Sequence, residues 1–179
     1  MKSFKASLDL ASKIITAISG ILFIGIIILI LLTGEEFINV DKPTGLLMGS
    51  GLLILFIGLY LYHPTEYLVD DSFLIIKRPI GKLKIERRIF LKVNLVTKAE
   101  MGFTIRTFGN GGLFGYTGWF SNSLFGSMRW YATQRKNFVL IETSTSGKIV
   151  VTPDEQMDFA KSIAINDTCE RFHDLCKSR

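Results

Sequence analysis

Two stretches, residues 14–32 and 45–62, hold no charged residue, and from Thr65 onward the pattern changes to short segments of alternating apolar and polar positions. Runs of 19 and 18 residues reach about 27–28 Å as helices at 1.5 Å per residue. That is close to the ~30 Å hydrocarbon thickness of a bilayer. Neither run carries the polar stripe at period 3.6 that a helix on the surface of a soluble protein shows. The pattern predicts a two-helix transmembrane hairpin. The first run is not read as a cleaved leader, because it outruns the usual ~7–15-residue apolar region and ends Leu31-Leu32-Thr33-Gly34-Glu35 without small cleavage-site residues. Gly45 and Gly49, spaced as in small-xxx-small packing motifs, and Gly20 on the first run are the candidate helix-packing positions.

Beyond the second run, residues 66–69 and 73–78 flank Asp70-Asp71-Ser72, which signals a hairpin. Residues 82–87 alternate Leu83 and Ile85 with Lys82, Lys84 and Glu86, as a half-buried strand does. A further strand is predicted over 89–100, with Val93, Leu95 and Thr97 on one face, and a hairpin over 137–143 and 148–152. Thr152-Pro153-Asp154-Glu155 then reads as a helix start, with threonine as cap, proline at the first position and glutamate three residues after the cap. Met157, Ala160, Ile163 and Ala164 supply that helix's apolar stripe, and a second short helix is expected through Phe172 and Leu175. Strands followed by one amphipathic helix predict an antiparallel β-barrel or sandwich capped by a C-terminal helix.

Charge adds an orientation. Residues 1–13 carry three lysines against Asp9, the connector 33–44 is acidic through Glu35, Glu36 and Asp41, and 17 of the 21 Lys and Arg lie after Tyr62. Under the positive-inside rule both termini are expected in the cytoplasm, with only the connector outside. The chain thus divides into a cytosolic segment 1–13, a hairpin 14–62 and a cytosolic domain 63–179. Cys169 and Cys176 then lie where thiols stay reduced, so no disulfide framework is implied. The net charge of +5 suits a surface near anionic headgroups. Nucleic acid is not an expected partner, since neither a helix-turn-helix pattern nor a zinc-finger spacing occurs.

The segment 101–134 holds both tryptophans among seven glycines. It lacks the spacing of a dinucleotide fingerprint, because Phe114 stands where the third small residue is required, and no Walker lysine is present. Two readings stand open. Its aromatics fill the end of a small barrel, on a long excursion bent by glycine, or Tyr116, Trp119, Phe120 and Trp130 form a ligand or partner surface. Likewise Lys82, Lys84, Arg87 and Arg88, with Lys77, Arg78 and Lys92, make either a patch for anionic lipid or a solvated strand face. Cys169, His173 and Cys176 share one helix face, but residues seven apart lie about 10 Å apart along the axis. One helix cannot readily wrap them around a single ion. No metal site and no cofactor are expected, and no nucleophile motif, His-Glu-x-x-His or paired carboxylate points to catalysis.

The chain resembles the bacterial pleckstrin-homology-like (PH-like) domain family over residues 65–165. The resemblance rests on Tyr67-Leu-Val-Asp-Asp-Ser-Phe-Leu-Ile-Ile-Lys-Arg, on Gly109-Asn-Gly-Gly-Leu-Phe-Gly-Tyr-Thr-Gly-Trp-Phe, on Tyr131-Ala-Thr with Phe138-Val-Leu-Ile-Glu-Thr, and on Val151-Thr-Pro-Asp. It implies a multi-pass protein of the bacterial inner membrane whose domain is a non-catalytic binding or assembly module for protein, peptide or anionic lipid. Its expected partners are membrane lipids and a protein partner or second copy. The alternative is an accessory subunit of a larger complex joined through the helices. Lipid-binding members gather basic residues at the loop between the first two strands, where this chain has Asp70-Asp71-Ser72.

Overall fold

The computed structural model describes residues 1–33 and 41–164. The second helix expected through Phe172 and Leu175, and the trio Cys169, His173 and Cys176, lie outside the described residues. The chain opens on strand β1 (Lys2–Lys5), then forms the long helices α1 (Leu10–Thr33) and α2 (Lys42–Tyr62). Both are long and apolar enough to cross a membrane, over Leu10–Ile30 and Pro43–Tyr62. Pro64 follows α2 directly and stops it, because the pyrrolidine ring fixes φ and disfavours helix in the residue before it.

Strands β2 (Glu66–Val69), β3 (Phe73–Lys77) and β4 (Lys82–Glu86) form an antiparallel sheet whose order is β1-β2-β3-β4. The pairing of β1 with β2 has no counterpart in the local pattern of residues 1–13. Phe4 nevertheless buries against the sheet, because Lys2 to Lys5 pair with Val69 back to Glu66. The second sheet contains β5 (Phe90–Val96), β6 (Ile105–Gly112), β7 (Gly115–Asn122), β8 (Gly126–Ala132), β9 (Phe138–Thr143) and β10 (Gly147–Val151), ordered β5-β9-β10-β8-β7-β6. The two sheets make the PH-like sandwich, closed by the C-terminal helix.

The expected pairing needs one amendment, because β10 runs parallel to β8 while pairing antiparallel with β9. The connection through residues 133–137 carries β9 past the edge of β8 and leaves the slot between them for β10. The segment 101–134 is also not an excursion but holds three strands in an antiparallel meander, β6 pairing with β7 and β7 with β8. The strand expected over 89–100 ends at Val96. Thr97 and Glu100 there form a reciprocal capping box for the short helix α3 (Lys98–Met101). Those contacts hold the Glu100 carboxyl below its ordinary range.

Two cores sit on opposite faces of the second sheet. Between the sheets, Tyr67, Leu74, Ile76, Val93, Val139, Ile141 and Val151 pack with Phe159 and Ile163. On the other face, Tyr116, Phe120, Met128, Trp130, Leu140 and Val150 pack with Met101 and Phe138. The Tyr67 hydroxyl donates to the Tyr131 carbonyl at 2.6 Å and accepts from the Thr152 amide at 3.3 Å. Burial pushes that phenol up to about 12.

Helix α4 (Gln156–Ile163) starts three residues later than the Thr152 cap would place it. The Thr152 hydroxyl is fully buried and accepts from the Thr133 amide at 2.9 Å. Asp154 is likewise drawn away, with its amide on the Lys5 carbonyl at 3.0 Å and its carboxylate accepting from Ser7. Phe159, Ala160 and Ile163 form the buried face, while Met157 and Ala164 are half-buried. Thr152→Ala is therefore expected to cost about 1–3 kcal/mol by orphaning a buried N–H. Thr152→Ser should recover most of the loss. Equal unfolding midpoints for the two variants would show that the hydroxyl is not holding Thr133.

Candidate functional site

The two long helices meet along a regular seam. Half-buried Thr16, Gly20, Phe23, Ile27 and Ile30 on α1 recur at spacings of 4 and 3, as do Gly45, Gly49, Leu52, Phe56 and Leu59 on α2. This 3.5-residue repeat is that of antiparallel coiled-coil packing. Glycine lets the backbones close in: a Cβ on Gly49 would lie 3.5 Å from Ile27, and one on Gly20 would lie 3.6 Å from the Phe56 ring. The candidate packing glycines Gly20, Gly45 and Gly49 thus line this chain's own hairpin.

The β6–β7 turn locks onto the lower end of that seam. Phe114, at φ +56°, places its ring 5.1 Å from Phe56 and 5.3 Å from Tyr60, while its amide donates to the Thr16 hydroxyl at 2.9 Å. Asn110 shapes the turn by bonding both the amide and the carbonyl of Leu113. On the opposite side Asp9 caps α1 by accepting from Ser12 at 2.8 Å, and also accepts from the Arg135 amide at 3.0 Å. Both helices are therefore fixed to the second sheet as well as to the first.

Beside the docked turn, α2 and the sheet leave a groove of about 520 Å³. One wall is the α2 face Ile54, Leu55, Gly58, Leu59 and Tyr62, and the other is built from β6, β7 and β8. The sheet wall is bare where Gly109 pairs with Gly118, at φ +108° and +130°. A Cβ on Gly118 would sit 2.3 Å from the Phe108 carbonyl oxygen, and one on Gly109 would sit 2.4 Å from that of Thr117. A bulge between Arg106 and Phe108 puts Phe108 opposite Trp119, both facing outward and 75 % and 41 % exposed. Bulges commonly re-aim a side chain in this way.

The end of the groove at Tyr62 is aromatic and basic. Arg129 lies 5.6 Å from the Trp119 ring centre and 5.4 Å from that of Tyr131. Arg78 stacks 3.9 Å over Tyr62 and 5.6 Å from Tyr131. Burial raises the Tyr131 phenol, and the two guanidinium charges oppose that rise. Among the described residues neither arginine pairs with a carboxylate. The Arg78 Nε is buried without a hydrogen-bond partner.

A family model for the bacterial PH domain matches residues 65–165. The chain belongs to the bacterial PH domain family. No curated protein and no solved structure matches it.

Within the PH domain the expected aromatic surface separates into two. Tyr116, Phe120 and Trp130 point into the second core, where Phe120 stacks on Trp130 at 4.4 Å and the Tyr116 hydroxyl reaches Asp9 at 3.4 Å. Burial pushes the Tyr116 phenol up. Trp119 alone of the four faces outward, since adjacent strand residues take opposite faces. That alternation is visible in the sequence once 115–122 is taken as a strand.

The expected basic patch also divides. Lys82 and Lys84 are exposed on β4, whereas Arg88 pairs with Glu86. Arg87 is half-buried and donates to the carbonyls of Asp70 at 2.9 Å, Ser162 at 3.1 Å and Ile163 at 3.3 Å. Its guanidinium ties the end of α4 to the β2–β3 turn and is not a free surface cation. Arg87 also stands about 16 Å along the strand from Lys82, at 3.3 Å per residue. Lys82 pairs with Lys77, whose carbonyl takes the Thr65 amide at the foot of α2. The residues missed by sequence reasoning are Arg129, Tyr131 and Phe108, and it reads Arg78 only as one of the basic patch, because only the fold brings β6, β8 and the end of β3 to α2. Among the described residues no group of three His, Cys, Asp or Glu is placed to hold a metal ion.

Proposed function

We propose that this is an integral membrane protein whose PH domain serves as a non-catalytic binding module held against the cytoplasmic face of the bilayer, with membrane lipid as its ligand. The observation that carries the reading is the seating of Phe114 in the helix seam, which fixes the domain beside the spans instead of leaving it on a tether. Beside the groove, Phe108 and Trp119 present exposed aromatic surface, as suits residues at a headgroup interface. Charge supports the orientation, with 17 of 21 Lys and Arg after Tyr62 and an acidic connector. Recruitment of a larger complex through Gly45 and Gly49 is less well supported, because those glycines face α1 of the same chain.

The orientation is tested with single cysteines in a chain whose Cys169 and Cys176 are serine. Asn39→Cys should react with an impermeant thiol reagent in intact cells. Ser146→Cys, in the exposed β9–β10 turn, should react only after lysis or in inverted vesicles. The reverse labelling would place the PH domain outside and overturn the reading.

A further inference from the structure

We propose that the groove between α2 and the β6–β8 meander holds one anionic phospholipid drawn laterally from the surrounding leaflet, its phosphate on Arg78 and Arg129 and an acyl chain along α2. The inference rests on the membrane reading above. From Tyr62 to Ile54 the α2 wall rises about 12 Å at 1.5 Å per residue. Its upper part, Leu55 and Ile54, is continuous with the exposed apolar face of the helix, 57 % and 70 % exposed. An occupant entering there comes from hydrocarbon. A water-soluble ligand would have to leave water to reach it.

The other end of the groove carries positive charge. Two guanidiniums flank the one Tyr131 ring, Arg129 exposed and Arg78 half-buried, and among the described residues neither pairs with a carboxylate. Arg78 lies 3.9 Å over the Tyr62 ring, and Arg129 lies 5.6 Å from the Trp119 ring centre and 5.4 Å from that of Tyr131. A guanidinium stacked in that way keeps its edge N–H groups for a phosphate, which it binds bidentately. A zwitterionic headgroup would bring its own cation into the same crowded corner, so the preference is for a net negative lipid.

The space itself is kept open by missing side chains. Gly109 and Gly118 leave the sheet wall without side chains, and Gly58 lines the α2 wall with nothing within 4 Å of an added Cβ. The polar hollow around Asp9 and Asp154 offers no comparable case, because both carboxylates are already occupied in tying the amino-terminal segment to the second sheet.

Trp119 lines the groove and reports on it, with Trp130 buried elsewhere. Full-length protein is reconstituted in phosphatidylcholine nanodiscs with a small fixed fraction of phosphatidylglycerol, and bromine is placed on the acyl chains of an equal fraction of one lipid or the other. Brominated phosphatidylglycerol should quench tryptophan severalfold more than the same fraction of brominated phosphatidylcholine. Arg78→Gln with Arg129→Gln should remove the difference. Gly58→Phe, which fills the groove without touching either arginine, should remove it too and keeps the test open if the double variant fails to fold. Equal quenching by the two lipids, or a preference that survives Gly58→Phe, overturns the lipid site and leaves the membrane reading intact. Failure of the chain to enter the bilayer overturns both.

Discussion

Phe159→Ala should destabilise the protein by about 3–5 kcal/mol, the range for removing a fully enclosed phenylalanine. Phe159 has no exposed surface and stands edge-on to Phe4 at 5.2 Å and to Tyr67 at 5.7 Å. One ring thus joins α4, the amino-terminal strand and the strand that follows the two long helices. Edge-to-face pairs add about 0.5–1.5 kcal/mol beyond the area buried, which places the expected loss toward the upper part of the range. The consequence is also non-local. β1 should loosen, because Phe4 is its one buried side chain and loses its ring partner. The measurement is chemical unfolding of the full chain in detergent, with amide exchange at Lys2–Lys5 read in parallel. A loss below about 1 kcal/mol would mean that the site collapses to fill the cavity, and unchanged exchange would separate β1 from α4.

The second large effect is expected at Gly118. An added Cβ meets the Phe108 carbonyl oxygen at 2.3 Å and the Gly109 Cα at 2.8 Å, and φ is +130°. Backbone cannot swing aside as a side chain can. Gly118→Ala should therefore cost at least about 2 kcal/mol, with overpacking and forced backbone conformation each worth about 1–3 kcal/mol. Strand β6 should part from β7 and carry the Phe114 turn off the helix seam. Gly126→Asn is the control, since Gly126 has φ +68° with open space around it. Asparagine tolerates that left-handed conformation, so its unfolding midpoint should change little. Matching midpoints for Gly118→Ala and Gly126→Asn would show that the β6–β7 pair can separate at that point without loss.

The corrections share a physical origin. Thr152-Pro153-Asp154-Glu155 satisfies every local rule for a helix start, yet its hydroxyl goes to Thr133 and its carboxylate to Ser7, groups 19 and 147 residues away in the chain. A cap contributes only about 1 kcal/mol, so a buried donor needing an acceptor outcompetes it. Arg87, in the turn just past β4, shows the same. Its charge and position match the other cations in sequence, but carbonyls at the end of α4 claim the guanidinium. Trp119 and Phe120 are neighbours with similar chemistry. One lines the groove and the other stacks in the core, and period-2 alternation separates them only after the segment is known to be a strand.

The sequence by itself determined the elements whose signal lies within a few residues: two uncharged runs long enough to span a bilayer, alternating strands, the hairpin at Asp70-Asp71-Ser72 and the excess of cations after Tyr62. It also carried the motifs of the PH domain. It took the assembled fold to join β1 to a sheet from across two long helices, to slot β10 in parallel beside β8, and to put Arg129 and Gly58 on one groove with Arg78 stacked on its Tyr62. Local periodicity reports which face of an element is apolar, because that depends on residues two to four positions apart. Which element covers that face depends on contacts across the whole chain, and those are fixed only when the competing partners are brought together by the fold.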